Sequence, residues 1–357
     1  MSDKTKLYVD VHVLQTVPPS CINRDDTGSP KTAVYGGVTR ARVSSQAWKR
    51  AMRLMFRELF AEEQVGLRTK RATELVAAQL KALGQEKDWE KRAVKALEMA
   101  GIKTNKAAQT DALFFLSPTQ ARELARLSIE GETDKQQYKN ALKDYPAVDM
   151  ALFGRMVASD PSLNYDAAAQ VAHSISTHEV HNEYDYFTAV DDCAPEENMG
   201  AGHLGTVEFH SATLYRYATI NVQELAQHLK GETAEAVAGF IKAFLLSMPT
   251  GKQNTFANRT VPDLAYITLR RDQPVNLAGA FECPVRAHGE GYVSSSIQAL
   301  CRYAMRTYQS FAAAPEQAFC VGAVEGTDSL APSTKMQEML DAVRDAVSDY
   351  CRTEEEI

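Results

Sequence analysis

One stretch of the chain, residues 27–57, limits its possible folds and partners more than any other feature. It holds seven basic residues and no aspartate or glutamate, whereas the whole chain of 357 residues has a net charge of −7. In its second half, apolar residues recur at helical spacing: Trp48, Ala51, Met52, Met55 and Leu59. This pattern predicts a helix that begins at Ser44 or Ser45, ends near Phe60 and buries one side.

The other side of that helix is predicted to carry a row of positive charge. Lys49, Arg53 and Arg57 follow one another at intervals of four residues, with Arg50 beside them, so they are neighbours on one helical face. A local basic patch on an otherwise acidic chain is typical of a protein that binds a polyanion at one place. A solvated helix face without a ligand is the alternative.

Length and composition favour a folded protein of two or three units. Hydrophobic residues make up 45% of the chain and charged residues 24%, which excludes global disorder. No apolar run approaches the ~18 residues of a membrane span, and no signal-peptide pattern precedes the first strand. The six cysteines form no C-x-x-C pair, which is typical of a reduced cytoplasmic protein.

The order of the patterns predicts a mixed α+β core that is interrupted by a helical insertion. Residues 7–14 alternate as in a half-buried strand, which Pro18 and Pro19 are expected to end, and residues 61–145 have a helical composition. The polar residues 178–205 predict an arm between two strands. Further strands are predicted at 40–43, 150–153, 167–180, 206–217 and 263–269. Further helices are predicted at 232–247 and 333–352, and another is predicted to begin near Ser295, which can form a capping box with Gln298.

Motifs that would indicate an enzyme or a metal site are weak. The G-x-G-x-x-G pattern at residues 200–205 lacks the strand before it and the helix after it that phosphate binding needs. His178, His181, Cys193 and His203 match no established zinc spacing. We find no P-loop, kinase signature or G-x-S-x-G nucleophile, and nothing in the sequence requires a cofactor.

Two adjacent carboxylates leave one catalytic alternative open. Asp25 and Asp26 lie in a loop close to the basic stretch, where they could hold Mg²⁺ for cleavage of a phosphodiester. The other interpretation is a turn in which an aspartate accepts hydrogen bonds from backbone N–H groups.

Several blocks of the sequence closely resemble the repeated backbone subunit of type I-E Cascade, the CRISPR RNA-guided surveillance complex of bacteria. The longest are VHVL at 11–14, PSCINRDD at 19–26, YGG at 35–37 and RVSSQAWKRAMR at 42–53. Shorter blocks follow in the same order: GRM at 154–156, FTAVDD at 187–192, HLGT at 203–206, YRYA at 215–218 and SIQA at 296–299. Residues 61–145 contain no matching motif.

This resemblance implies a right-hand shape with an RRM-like (ferredoxin-like) palm, helical fingers and a β-hairpin thumb. The palm would comprise residues 1–60, 146–177 and 206–357, the fingers 61–145 and the thumb 178–205. It also implies a non-catalytic role in antiviral defence. Six copies would polymerise head to tail along one CRISPR guide RNA, present its spacer for pairing with target DNA, and contact the large, small and guide-end capping subunits, with no membrane involved.

The resemblance also assigns roles to individual residues. Ser44, Gln46, Lys49 and Arg50 match palm positions that touch guide phosphates, and Arg53 extends their row. Asn23, Arg24 and Lys31 match a guide-contacting loop. Met156 matches the apolar residue that packs against a displaced base, and Thr188 lies in the matching thumb. Val38 and Thr39 stand where the family has basic residues, so Arg40 or Arg42 is expected to compensate.

Alternatives to these roles remain open at this point. Met156 and the aromatic residues Tyr184, Tyr186 and Phe187 could instead belong to a hydrophobic core. A related RNA-guided subunit that cleaves RNA with a metal at Asp25 or Asp26 is the second functional reading, and a sequence-independent single-strand binder outside CRISPR is the third.

Overall fold

Nine strands form one antiparallel sheet in the part of the chain that the computed structural model describes, which is residues 6–85, 87–189, 192, 204–322 and 326–355. They are β1 Tyr8–Ser20, β2 Thr32–Tyr35, β3 Val38–Val43, β6 Ala169–Val171, β7 Ser174–Ser176, β8 Glu183–Thr188, β9 Leu204–Asn221, β10 Leu264–Arg270 and β11 Gln317–Gly322, while β4 Leu67–Thr69 and β5 Phe114–Leu116 pair separately. The helices are α1 Ser45–Leu59, α2 Ala72–Ala82, α3 Trp89–Met99, α4 Pro118–Glu130, α5 Lys135–Lys143, α6 Val148–Phe153, α7 Val222–Leu229, α8 Thr233–Leu246, α9 Gln253–Phe256, α10 Val293–Ser310 and α11 Met336–Glu355.

The centre of the sheet has ferredoxin-like topology. Its strand order is β11-β10-β1-β9-β7-β3-β2, and β6 also pairs with β9. Helix α1 lies in the connection from β1 to β6 and β7, and α8 lies in the connection from β9 to β10. These segments form a β-α-β-β-α-β unit whose two helices pack against the same side of the sheet. The predicted α+β fold, consistent with an RRM-like palm, is confirmed.

Strand β1 is buried on both sides, which the sequence analysis did not anticipate. Its odd-numbered residues, among them Val9 and Val11, pack against α1, α8 and α11. Its even-numbered residues, among them His12 and Leu14, face a second layer built by α10 and residues 277–281. The strand also continues through the two prolines to Ser20, with a register irregularity after Val17. The prediction of a half-buried strand that ends at Pro18 was therefore wrong.

Burial of aromatic residues closes the face of the sheet that lies under α10. Tyr215 and Tyr217 of β9 and Tyr266 of β10 are each less than 9% exposed. Their rings pack around His12, whose Nδ1 lies 2.9 Å from the Tyr215 hydroxyl. In RRM domains, aromatic residues on the central strands stack against RNA bases. In this chain the equivalent face is filled by protein.

The helices agree with the sequence analysis in part. Helix α1 begins after the N-cap Ser44 and ends before Phe60, as predicted. Residues 150–153 are helical, within α6, and not a strand, because a short apolar run fits either structure. Helix α10 begins after Tyr292 without a side-chain cap, so the predicted capping box at Ser295 was wrong. No helix among the described residues combines the length and hydrophobicity that crossing a membrane requires.

The helical insertion has a hydrophobic core of its own. The core is formed by residues of α2, α3, α4 and α5 together with Leu116, Val157 and Leu163. The small β4–β5 sheet, which the sequence patterns did not predict, contributes Phe114 and Leu116 to this core. Residues 61–145 are called the fingers, as a label for this helical insertion.

Burial of His12 predicts a pH dependence of stability. Burial lowers the pKa of His12 from 6.5 to about 3, so the imidazole stays neutral in the folded protein when the unfolded chain already binds a proton. The free energy of unfolding is therefore not reduced by His12 above pH 6.5, and it decreases as the pH falls from 6.5 towards 3. We expect His12→Asn to reduce the slope of unfolding free energy against pH by about 1.4 kcal/mol per pH unit between pH 6 and 4.

Urea titrations of both proteins across that pH range measure the difference. Burial raises the pKa of Asp10 on the same face to about 6, which has the opposite sign, but Asp10 is present in both proteins. Identical slopes would mean that His12 is protonated when folded.

Candidate nucleic-acid interface

The N-terminus of α1 and the loop of residues 21–31 are held together by one amide side chain. Oδ1 of Asn23 accepts a hydrogen bond from the Ser44 N–H at 2.9 Å, and Oγ of Ser44 accepts one from the Ala47 N–H at 3.3 Å. Ser44 is 4% exposed. Asn23 and Ser44 therefore fix the position of the loop relative to the helix, and the side chains that remain accessible are those of their neighbours.

The exposed face of α1 carries Gln46, Arg50 and Arg57, and Leu54 and Glu58 are exposed along one side of it. This face points outward because the opposite side is anchored. The indole N–H of Trp48 donates to Ser174 Oγ at 3.0 Å, and the Arg216 guanidinium stacks 3.7 Å from the centroid of the Trp48 ring. A fixed helix with cations on its free side is a suitable support for a phosphate chain.

Lys49 lies at the edge of this face and is half-buried. Its ammonium group is 5.5 Å from the centroid of the Phe153 ring, and burial lowers the pKa of Lys49. A cation that is partly desolvated interacts more strongly with an arriving anion than a cation in water does.

Arg53 joins α1 to the fingers. Its Nε donates to Oδ2 of Asp149 at 2.8 Å, and its guanidinium lies 4.6 Å from the centroid of the Phe115 ring. The Asp149 side chain is fully buried, and its other oxygen accepts from the Gly66 N–H. The charge of Arg53 is therefore already paired, and its main role is to orient the fingers against the helix.

Arg40 is a correction to the predicted set. It is 0% exposed, and its guanidinium donates to the carbonyl groups of Tyr35, Ser176, Phe281 and Glu282. A side chain in this position supports the fold and is not accessible to RNA. Arg40 was predicted to be an exposed cation because the residues next to it in sequence do not show whether an arginine is buried or exposed.

Three other predicted cations are accessible. Arg24 is exposed at the tip of the 21–31 loop, and Lys31 is half-buried at its end. Arg42 donates from Nε to the Thr32 carbonyl, and its Nη1 lies 3.2 Å from His173 Nδ1 on the surface. Arg42, but not Arg40, can thus compensate for the absence of basic residues at Val38 and Thr39.

Asp25 forms the turn that the sequence analysis offered as the alternative to a metal site. Its Oδ1 accepts hydrogen bonds from the Thr27 N–H, the Thr27 hydroxyl and the Ser29 N–H at 2.7–3.0 Å. These bonds, the Thr27 hydroxyl first, lower the pKa of Asp25. Among the described residues, no group of three or more histidine, cysteine, aspartate or glutamate side chains is arranged for a metal ion.

The histidines weighed as zinc ligands are used differently where the structure describes them. His178 is buried and stacks on Tyr292 with 3.6 Å between ring centroids. One ring nitrogen accepts from the Thr213 N–H and the other contacts the Glu179 carbonyl. Cys193, His203 and most of the G-x-G-x-x-G pattern lie outside the described residues.

Met156 is 82% exposed although both neighbours are buried. Gly154 turns the chain just before it with φ 79°, and Arg155 donates to carbonyl groups of Leu142 and Leu163. An apolar side chain is thus presented to solvent from a fixed backbone, and the alternative that Met156 belongs to the core is wrong.

Strand β8 and the first part of β9 form a hairpin arm. Their ladder runs from Glu183–Phe209 to Thr188–Leu204, so the arm extends to residue 209, beyond the predicted end at 205. Its outer side chains are well exposed at Tyr184, Tyr186, Phe187 and Leu204, between 49% and 72%. Directly paired residues point to one side, so Tyr184, Tyr186, Thr188 and Leu204 share a face. The core interpretation of the three aromatic residues was therefore wrong.

The comparisons with known proteins agree with this geometry. Residues 9–346 match the family model described as CT1975-like protein. Two similar solved chains are each part of a CRISPR RNA-guided surveillance complex. The first, from a pre-nicking complex, has 33% identity over 94% of this chain and 100% of its own, with a TM-score of 0.80. The second has 31% identity over 94% and 99%, with a TM-score of 0.62. No curated protein matches.

The different environments of Arg40 and Arg50 can be tested with one substitution at each site. Arg40→Met leaves buried carbonyl groups without a donor, so we expect a loss of about 3 kcal/mol or more in the free energy of unfolding. Arg50→Met on the exposed face should change it by less than about 0.5 kcal/mol. Urea titration gives both values. Equal stability of the two variants, with weaker RNA binding by Arg40→Met, would return Arg40 to the interface.

Proposed function

This chain belongs to the CT1975-like family, and we propose on that basis that it is the RNA-binding backbone subunit of a type I-E Cascade complex. The guide RNA lies along the edge formed by the 21–31 loop and the exposed face of α1. The observation that carries the proposal is this edge, where accessible cations stand beside a helix that is fixed from behind by Trp48. Because α10 fills the broad face of the sheet, we place the nucleic acid at this edge and not on that face.

The chemistry of the edge favours contact with phosphates. Arg24, Arg50 and Lys49 offer charged N–H donors, and Gln46 adds a neutral amide. Such groups fix the path of a strand without reading its bases. A guide carries a different spacer in each complex, so its support has to ignore sequence while base pairing supplies the specificity.

Met156 and the hairpin arm suit a periodic distortion of the guide. An exposed thioether side chain on a rigid turn can pack against the face of a displaced base. The arm presents aromatic residues on which a nucleotide or a neighbouring subunit can stack. Thr188 lies near the described end of the arm, on the face that carries Tyr184 and Tyr186.

Assembly along the guide needs two different surfaces on each copy. A head-to-tail contact of this kind is heterologous, and it continues until a capping subunit ends it. The arm of one copy and the palm of the next are the proposed pair of surfaces. Six copies would display the spacer for pairing with target DNA in the cytoplasm, with the large, small and guide-end subunits around them.

We propose that the subunit is not a nuclease. Asp25 already accepts three hydrogen bonds within its turn, which supports a structural use of this carboxylate.

Charge reversal on α1 tests the path of the guide. The logarithm of the affinity for single-stranded RNA falls with the logarithm of salt concentration by about 0.7 for each phosphate contacted. We expect Lys49→Glu combined with Arg50→Glu to flatten this slope by about 1.4, as two contacts are lost. Fluorescence anisotropy with RNAs of two unrelated sequences gives the slope, and Lys335→Glu, beside the far edge strand β11, is the matched control.

An unchanged slope in the double variant would remove α1 from the RNA path. A slope that differs between the two RNA sequences would contradict contact through phosphates alone.

Truncation of Met156 tests the distortion separately from binding. We expect Met156→Ala to keep the affinity for guide RNA within about threefold, since phosphate contacts supply most of it. The regular pattern of reactive nucleotides in chemical probing of the assembled complex should weaken, because the displaced bases lose their apolar support. An unaltered pattern would mean that Met156 has no part in it.

A further inference from the structure

Residues 247–259, which include the short helix α9, form the first part of the connection from α8 to β10 and have no role in the proposed function. It contains two cations, Lys252 and Arg259, and the exposed side chains of Gln253 and Asn254. The sequence contains a glycine before Lys252 but no other element of a P-loop, so the segment gave no usable motif. We call it the α8–β10 loop.

One end of the α8–β10 loop is pressed against the predicted guide-contacting loop. A Cβ atom at Gly251 would lie 2.3 Å from the Ile22 carbonyl oxygen, so a side chain cannot be placed there without moving the backbone. Gly251 and residues 22–28 line an open cleft of about 540 Å³. Arg24 lies on one side of this cleft, and Lys252 follows directly after Gly251 on the other.

The charges of Arg24 and Lys252 act on the same place. Both lower the pKa of the Cys21 thiol, against the larger effect of burial, which raises it. Glu208 and Asp25 oppose them there, and the carboxylates of Asp25 and Asp26 line the cleft beside Arg24. Arg24 and Lys252 thus bring one cation from each loop to a cleft that also contains acidic side chains.

The other end of the α8–β10 loop lies against α1. Gln253 and Arg259 line a groove of about 180 Å³ together with Ala51, Leu54 and Glu58 of the helix. Leu54 is about 100° around α1 from Arg53, because each residue of an α-helix turns by that angle. The fingers meet the helix at Arg53. The exposed face with Arg50 and Arg57 thus runs between the fingers on one side and the α8–β10 loop on the other.

The loop is held in a conformation that its residues do not prefer. Lys252 and Ala257 have φ angles of 47° and 48°, in the left-handed region, and neither is glycine. Such a backbone conformation is strained for a residue with a side chain and persists where the surroundings enforce it. Phe256 packs on Phe209 at the base of the hairpin arm, with 5.7 Å between ring centroids, and Asn258 is buried. The half-buried Lys252 and the exposed Gln253 and Asn254 are thus presented from a fixed support.

We propose that the α8–β10 loop is the second wall of the guide channel and that Lys252 and Gln253 contact the RNA backbone opposite the fingers. The inference rests on the proposed function and adds residues that neither the motifs nor the helical spacing indicated. Lys252 neutralises a phosphate across the cleft from Arg24. The Gln253 amide donates to a phosphate or sugar oxygen beside Arg50.

Two substitutions of Lys252 test this wall in the full chain. Lys252→Asn removes the charge and tolerates the left-handed conformation, and Lys252→Glu reverses the charge. With single-stranded RNA, Lys252→Asn should flatten the salt slope by about 0.7, one phosphate contact. Lys252→Glu should flatten it at least as much. Lys335→Glu is again the control, and circular dichroism confirms that each variant is folded.

Photo-crosslinking gives an independent readout of contact. We expect p-benzoylphenylalanine in place of Gln253 to crosslink to RNA on the full chain, and the same residue in place of Lys335 not to. Because Gln253 is exposed, this substitution does not disturb the core.

The results separate the two proposals. The second wall is overturned if the salt slopes of both Lys252 variants are unchanged and position 253 gives no crosslink to RNA. The proposed function is kept in that case if Lys49→Glu/Arg50→Glu still flattens the slope. If the unsubstituted chain binds no RNA, both are overturned.

Discussion

Strand β1 lies between two packed layers, and the accessible surfaces of the molecule follow from this arrangement. On one side, Val9, Val11 and Val13 pack against the helices that complete the ferredoxin-like unit. On the other side, α10 and residues 277–281 cover the tyrosines of β9 and β10. An RRM domain would offer that second face to RNA. With both faces of β1 covered, we propose the edge of the palm, where α1 begins, as the path of the nucleic acid.

The cations of the basic stretch divide into two groups with different functions. Arg40 and Arg53 are bound to carbonyl oxygens and to a buried carboxylate, and they hold the palm, the segment after residue 277 and the fingers in place. Arg24, Arg50 and Arg57 have exposed side chains on the edge that these contacts shape. The same residue type thus serves first to build the surface and then to supply its charge. Stability and RNA affinity should therefore respond to different substitutions within one short stretch.

The local patterns predicted local structure well. Helix α1, its start at Ser44 or Ser45 and the exposure of Arg50 and Arg57 followed from local spacing, because a helix is decided by near neighbours. Lys49 and Arg53 of the same predicted row are half-buried, because Phe153 and Asp149 from a distant segment pack against them. The burial of β1 on both faces did not follow, since the residues that cover it, such as Phe281 and Leu300, are more than 250 positions away in sequence. Arg40 was misread for the same reason. Its acceptors at 281 and 282 cannot be inferred from its neighbours.

The most direct test of the account is the identity of the nucleic acid that the chain carries in its native cells. The tagged protein is purified from those cells, its bound nucleic acid is extracted, and the molecules are sequenced and sized. The account predicts short RNAs of uniform length that carry repeat-derived flanks around different spacers. Mixed cellular RNA, or no RNA at all, would contradict a role as the support of a CRISPR guide.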